Sequence, residues 1–220
     1  MFDNFDLMFI FPRLVILLIA LPLHEFAHAA MAVRLGDDTP VVQGRYTLNP
    51  IAHLSLIGSL ALFFFPIGWA KPVLVNPQNF KRPRRDMALV ALMGPVSNIF
   101  AALVVMIVTR VLIGIFSPAS FPAGFGTLQE ILITIIFINL MLAAFNLLPI
   151  PPLDGSKVLG MFLPANIHRA MERYQGILIV VLLLLLFTGV LIDVIVQVRD
   201  WLFSALAWIT RPIDYLFGLV

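Results

Sequence analysis

Cysteine is absent from the 220 residues, which excludes disulfide cross-links and thiolate metal ligands. Any metal this chain holds must be gripped by imidazole and carboxylate. Charge is also scarce, with Asp, Glu, Lys and Arg making up 12% of the sequence against roughly 25% in an ordinary soluble domain. The formal net charge of +2 is too small for a nucleic-acid footprint, and no nucleic-acid partner is expected. The opening segment, Met1 to Asp6, carries two acidic residues and no basic one. A cleaved secretory signal needs a basic start, so the first apolar run is kept as structure.

What fills the space is hydrocarbon. Hydrophobic residues account for 61% of the chain and the mean hydropathy is +1.02, values that imply a membrane protein. The expected fold is an all-α multi-pass bundle of about four to six membrane helices. It is read as one domain over residues 1–220, with a core over about 7–158 and C-terminal membrane helices over about 176–220. A first helix is predicted from about Leu7 to Leu35, stopped by Gly36, Asp37 and Asp38. Two spanning candidates follow near Met87 to Phe116 and Leu128 to Leu147, separated by the uncharged loop Ser117 to Thr127, and a fourth near Gly176 to Val198. The tail from Trp201 to Val220 either spans or lies in the interface.

Between the first two long helices the pattern changes. Val41 to Leu48 and Trp69 to Val75 read as short strands, giving a small β-hairpin, with the apolar stretch Ile51 to Ile67 between them. The basic residues Lys81, Arg82, Arg84 and Arg85 suit a cytosolic, headgroup-facing loop.

The chemistry concentrates in His24-Glu25-Phe26-Ala27-His28. On a helix this His-Glu-x-x-His spacing puts two imidazoles on one face, four residues apart, where they can grip one zinc ion while Glu25 faces the water. Interfacial anchoring of the two histidines is the simpler alternative. Ionisable groups within a membrane helix cost about 2.5–3.5 kcal/mol each, however, and a metal ion compensates them.

A catalytic zinc takes three protein ligands, and Glu130, Asp154, Glu172 and Asp193 are the acidic candidates in or near membrane segments. Asp154 stands out within Asn146-Leu147-Leu148-Pro149-Ile150-Pro151-Pro152-Leu153-Asp154-Gly155, where prolines break the helix and Gly155 permits a tight turn. An ordinary Asp-Gly turn is the alternative. Topology couples the motifs: His24 and Asp154 share a membrane side only if Ile51 to Ile67 re-enters without crossing. On that reading Asp193, well along an outward-going helix, is on the wrong side to bind.

Taken together, the paired motifs, Asn49-Pro50, His53, Gly68-Trp69-Ala70-Lys71-Pro72-Val73 and Gly94-Pro95-Val96-Ser97-Asn98 resemble the site-2 protease family of membrane metallopeptidases (peptidase M50). The likeness covers about Leu21 to Val158 and is nearest the compact prokaryotic members without PDZ or CBS domains. The resemblance implies one zinc per chain held by His24, His28 and Asp154, with Glu25 as general base. It further implies regulated intramembrane proteolysis of membrane-spanning protein substrates at the cell membrane; the basic loop Lys71 to Arg85, sharing a side with the site if Ile51 to Ile67 re-enters, puts that site toward the cytosol. One departure is Ser55, where related sequences often carry an acidic residue.

Asn146 is a candidate donor to the developing oxyanion, its alternative role being to hold neighbouring backbone. His53 has the same ambiguity, its alternative role being an interfacial anchor. Val73-Leu74-Val75 is a candidate edge for holding a substrate extended, whereas Gly94 and Asn98 are assigned to close helix packing. The rival from another class is a non-enzymatic membrane zinc carrier or regulator, which has no need of Glu25.

Overall fold

The computed structural model describes residues 7–64, 68–116 and 125–218. Its first membrane-length element is α1 (Leu7–Val15), a π-helical turn at Ile16–Ala20 and α2 (Leu21–Arg34) in continuous succession. Pro22 accounts for the irregularity, since it has no amide with which to close an α-helical bond one turn back. Two short helices come next, α3 (Thr39–Val42) and α4 (Pro50–His53), then α5 (Leu56–Phe64) and a 3-10 turn at Pro77–Asn79. The long helices α6 (Pro83–Ile115) and α7 (Phe125–Asn146) follow. The chain closes with α8 (Asp154–Gly160), α9 (Ala165–Arg173), α10 (Gln175–Phe187) and α11 (Val190–Leu216).

Among the described residues, three helices are long and apolar enough to cross a membrane, at Ile10–Arg34, Pro83–Ile115 and Gly126–Asn146. The pair α10 and α11 adds a fourth if the two are counted as one span. The count is therefore lower than the four to six expected. Ile51 to Ile67 supplies no span within its described part: the nine residues of α5 reach about 13 Å, less than half of a roughly 30 Å hydrocarbon core. Phe65 to Ile67 lie outside the described residues. Gly176 to Val198 does not run as one helix either, because the chain turns by 81° between α10 and α11 at Gly189, whose φ is +82°.

The β-hairpin is not formed. Among the described residues there is no strand, only an isolated antiparallel bridge between Leu54 and Ala70. The second segment is extended: the Lys71 amide donates to the His53 carbonyl (2.7 Å), and side chains rather than a partner strand take up the amides that follow. Pro72 has no amide to donate. The amide of Val73 donates to Glu25 Oε2 (3.1 Å), that of Leu74 to Gln43 Oε1 (3.3 Å) and that of Asn76 to Asp37 Oδ2 (2.8 Å). Val41 and Val42, expected in the first strand, instead finish the helical turn α3, whose first turn contains Pro40.

Helix α6 is the central element, packed against α2, α7, α8 and α11. Ala102 and Met106 of α6 meet Ile136 and Leu140 of α7 and Leu206 of α11. A second apolar cluster joins Ala144, Leu148 and Leu153 to Leu182, Leu191 and Ile195. These two clusters sit at opposite ends of α11, so that helix runs antiparallel to α7. At one end, the Arg110 guanidinium pairs with the Asp214 carboxylate and donates to the Ala207 carbonyl (3.2 Å). Much of the outward surface is apolar, including Phe100, Phe187 and Trp208, as suits contact with lipid. Residues 117–124 of the expected uncharged loop lie outside the described residues.

Candidate metal centre

Helices α2 and α6 run antiparallel in a register that advances four residues on one for each four on the other. Ala20 faces Asn98, whose Nδ2 donates to its carbonyl at 3.1 Å. His24 faces Gly94, where an added Cβ would stand 2.5 Å from the imidazole. His28 faces Val90, its Nδ1 lying 2.8 Å from the Val90 carbonyl. A residue larger than glycine at position 94 would fill the space both rings occupy.

From the other side Asp154 arrives as the first residue of α8. The turn that delivers it packs so closely that a Cβ on Gly155 would lie 2.2 Å from the Leu147 carbonyl oxygen. Asp154 Oδ2 is 3.1 Å from His24 Nε2 and 3.2 Å from His28 Nε2, and those two nitrogens are 3.0 Å apart. All three residues are buried. The other carboxylate oxygen, Oδ1, faces Lys157 Nζ at 3.6 Å.

The donor set suits a divalent cation. Each Nδ1 meets an oxygen, His28 at the Val90 carbonyl and His24 at Asn98 Oδ1 (2.8 Å). The ring protons are thus committed outward, and both Nε2 lone pairs face Asp154 Oδ2. Three electron-rich atoms at 3.0–3.2 Å repel unless a positive charge lies among them. Ligands about 2.0–2.1 Å from a tetrahedral zinc stand roughly 3.3 Å apart, close to the triangle seen here.

Glu25 lies at the edge of this group, half-buried, with Oε2 accepting the Val73 amide. Glu130, Glu172 and Asp193 do not belong to the cluster, which consists of His24, His28 and Asp154. His53 is buried rather than interfacial, and its Nε2 donates to the Thr47 carbonyl at 2.7 Å. Asn146 closes α7 and donates one amide proton to the Leu142 carbonyl at 3.0 Å. Position 55 contributes a hydroxyl that accepts the Gly58 amide (3.2 Å), a local turn contact. A cavity of about 320 Å³ opens beside α8, lined by Met87, Pro151, Pro152 and Ser156 among others. None of His24, Glu25, His28 or Asp154 is among its lining residues.

Asn98, expected to serve close helix packing, sits at the centre of the site. It is fully buried and touches His24. The signal available beforehand was a carboxamide within an otherwise apolar helix, which in a membrane must find partners. Asn139 of α7, also fully buried and bonded to Asn98 at 3.0 Å, carried the same signal.

Buried imidazole and carboxylate donors beside a glutamate, in a chain that presents apolar helices to its surroundings, put the protein in the class of helical membrane metallopeptidases. Sequence comparison makes the assignment narrower. The profile described as "Peptidase family M50" matches residues 111–189, a stretch that contains Asp154. A Bacillus subtilis protein named "Putative zinc metalloprotease YwhC" is 39% identical over 180 residues, covering 80% of this chain and 81% of its own length. A Mycobacterium tuberculosis protein named "Putative zinc metalloprotease Rip2" is 32% identical over 200 residues, covering 87% of this chain and 70% of the relative. No solved structure matches significantly. The chain belongs to peptidase family M50.

Proposed function

We propose that the chain is a zinc metalloendopeptidase that hydrolyses peptide bonds of membrane-spanning proteins within or near the bilayer. The carrying observation is the meeting of His24, His28 and Asp154 within 3.2 Å of one another, beside Glu25 and beneath the surface of the bundle. The names of the M50 relatives support zinc as the metal.

In this reading His24, His28 and Asp154 hold one zinc ion. Bound there, zinc lowers the pKa of a water molecule toward about 7 and polarises the scissile carbonyl. Glu25 takes a proton from the attacking water and hands it to the departing amine. Its carboxylate is pre-oriented by the Val73 amide. Asn146 is assigned to the developing oxyanion; one proton of its amide is used on Leu142, and the second is the one this role requires.

The site sits at the level of Val90 and Gly94, seven to eleven residues into α6, which is roughly 10–17 Å from the end at Pro83, within the basic run Lys81 to Arg85. Cationic loops of this kind mark the cytosolic side, which supports a centre in the cell membrane toward the cytosol. The whole chain serves as one intramembrane domain, with α10 and α11 completing the bundle.

The test incubates purified protein in detergent with a panel of single-pass membrane segments. Glu25→Gln is expected to lower cleavage about 10²–10⁴-fold while retaining zinc, and chelation to abolish cleavage in wild type. Cleavage that survives either change would falsify the reading.

A further inference from the structure

We propose that Asn98 is a positioning residue that locks His24 in the tautomer needed at the metal, its own amide being oriented by a relay that begins in the backbone of α7. This inference rests on the zinc reading of the site and adds to it the device that aims one ligand.

The relay is read from its fixed end. A backbone carbonyl only accepts, so Asn139 must turn its nitrogen toward the Ile135 carbonyl, 2.9 Å away. That leaves Asn139 Oδ1 facing Asn98 at 3.0 Å, where it needs a donor. Asn98 Nδ2 supplies it and donates also to the Ala20 carbonyl at 3.1 Å. With both Asn98 amide protons committed, its Oδ1 is left facing His24 Nδ1 at 2.8 Å. An oxygen there demands a proton on Nδ1, and a neutral imidazole with Nδ1 protonated keeps Nε2 as a lone pair. That nitrogen is the one 3.1 Å from Asp154 Oδ2.

Three helices therefore settle the protonation of one ring. Two acceptors of opposite origin, Ala20 at the end of the π-helical turn and Asn139 in α7, hold the Asn98 amide, so neither alone is indispensable. The burial is complete, with Asn98 and Asn139 each at 0% exposure, so no water competes for these bonds. His28 needs no such device, because the Val90 backbone carbonyl imposes the same tautomer directly. The π-helical turn ends at Ala20, one turn before His24, and the carbonyl at that end is the one Asn98 engages.

The contrast between Asn98 and Asn139 makes the proposal testable. Asn98→Leu removes the oxygen facing His24. Asn139→Leu removes an acceptor from the relay but leaves Ala20 and the contact with His24. Zinc affinity is measured by chelator competition on the full chain in detergent. Asn98→Leu is expected to bind zinc 10–100-fold more weakly, with Asn139→Leu within a few-fold of wild type. A purely structural role predicts instead that Asn98→Leu and Asn139→Leu lose affinity alike.

Nitrogen NMR of the histidine rings in chelator-treated wild type gives a second readout that needs no variant to fold. His24 is expected as the Nδ1-protonated tautomer. Finding it protonated at Nε2, or finding Asn98→Leu within twofold of wild type for zinc, overturns the proposal. If wild type binds no zinc at all, the metal reading fails on its own, and the tautomer measurement still decides the role of Asn98.

Discussion

At Gly155 an added methyl group would meet the Leu147 carbonyl oxygen at 2.2 Å and that of Leu148 at 2.5 Å. These are backbone atoms, which cannot swing aside as the end of a flexible side chain would. Overpacking of this kind costs about 1–3 kcal/mol, and relief comes only by moving the turn that carries Asp154. Gly155→Ala is therefore expected to lower zinc affinity at least tenfold, read by chelator competition, and an unchanged affinity would show that the turn does not aim the carboxylate. The glycine was legible in the sequence as a turn former. Its closer reason, the approach of the Leu147 backbone, belongs to a contact the sequence does not display.

Between elements, Asp37 ties the end of α2 to the extended segment that carries Val73. It accepts the Thr39 amide (3.1 Å) and hydroxyl (2.5 Å), the Asn76 amide (2.8 Å) and Asn79 Nδ2 (2.6 Å). Burial works to raise its pKa, but these hydrogen bonds outweigh it and hold the carboxyl below the usual carboxylate range. A depressed folded-state pKa contributes stability that is present above the ordinary value, near 3.9, and is lost as pH falls through the folded value. Thermal unfolding in detergent is expected to show wild type losing stability below about pH 4, with Asp37→Asn flatter across that window. A parallel pair of profiles removes Asp37 as the cause.

At the opposite end of the bundle the Arg110 and Asp214 pair joins α6 to α11. Removing one partner strands the other charge at a partly buried position, whereas removing both does not. Arg110→Leu and Asp214→Leu are each expected to destabilise more than the double variant. Additive losses in a double-mutant cycle would mean that the pair is not coupled.

For the molecule as a whole, the absence of cysteine makes sidedness simple to measure. Arg84, in the first turn of α6, and Thr127, near the start of α7, are both exposed and suit single-cysteine substitution. An impermeant maleimide is expected to label Thr127→Cys in intact cells and Arg84→Cys only after lysis. The reverse pattern places the centre on the outer side.

Taken by itself, the sequence determined the class of molecule and nominated His24, Glu25, His28 and Asp154 for its site. Hydropathy and helical period are local properties, so the membrane helices near 10–34, 83–115 and 126–146 and the one-face geometry of His24 and His28 followed from short windows. The tertiary structure alone decided what is remote. Asp154 reaches His24 across 130 residues and Asn98 across 74, contacts set by the α2 and α6 register and by the shortness of α5. It also replaced the expected hairpin, because Pro72 withholds one amide while Glu25, Gln43 and Asp37 take up others. Side chains from elsewhere in the chain won that competition for backbone, and a pattern of neighbouring residues carries no record of it.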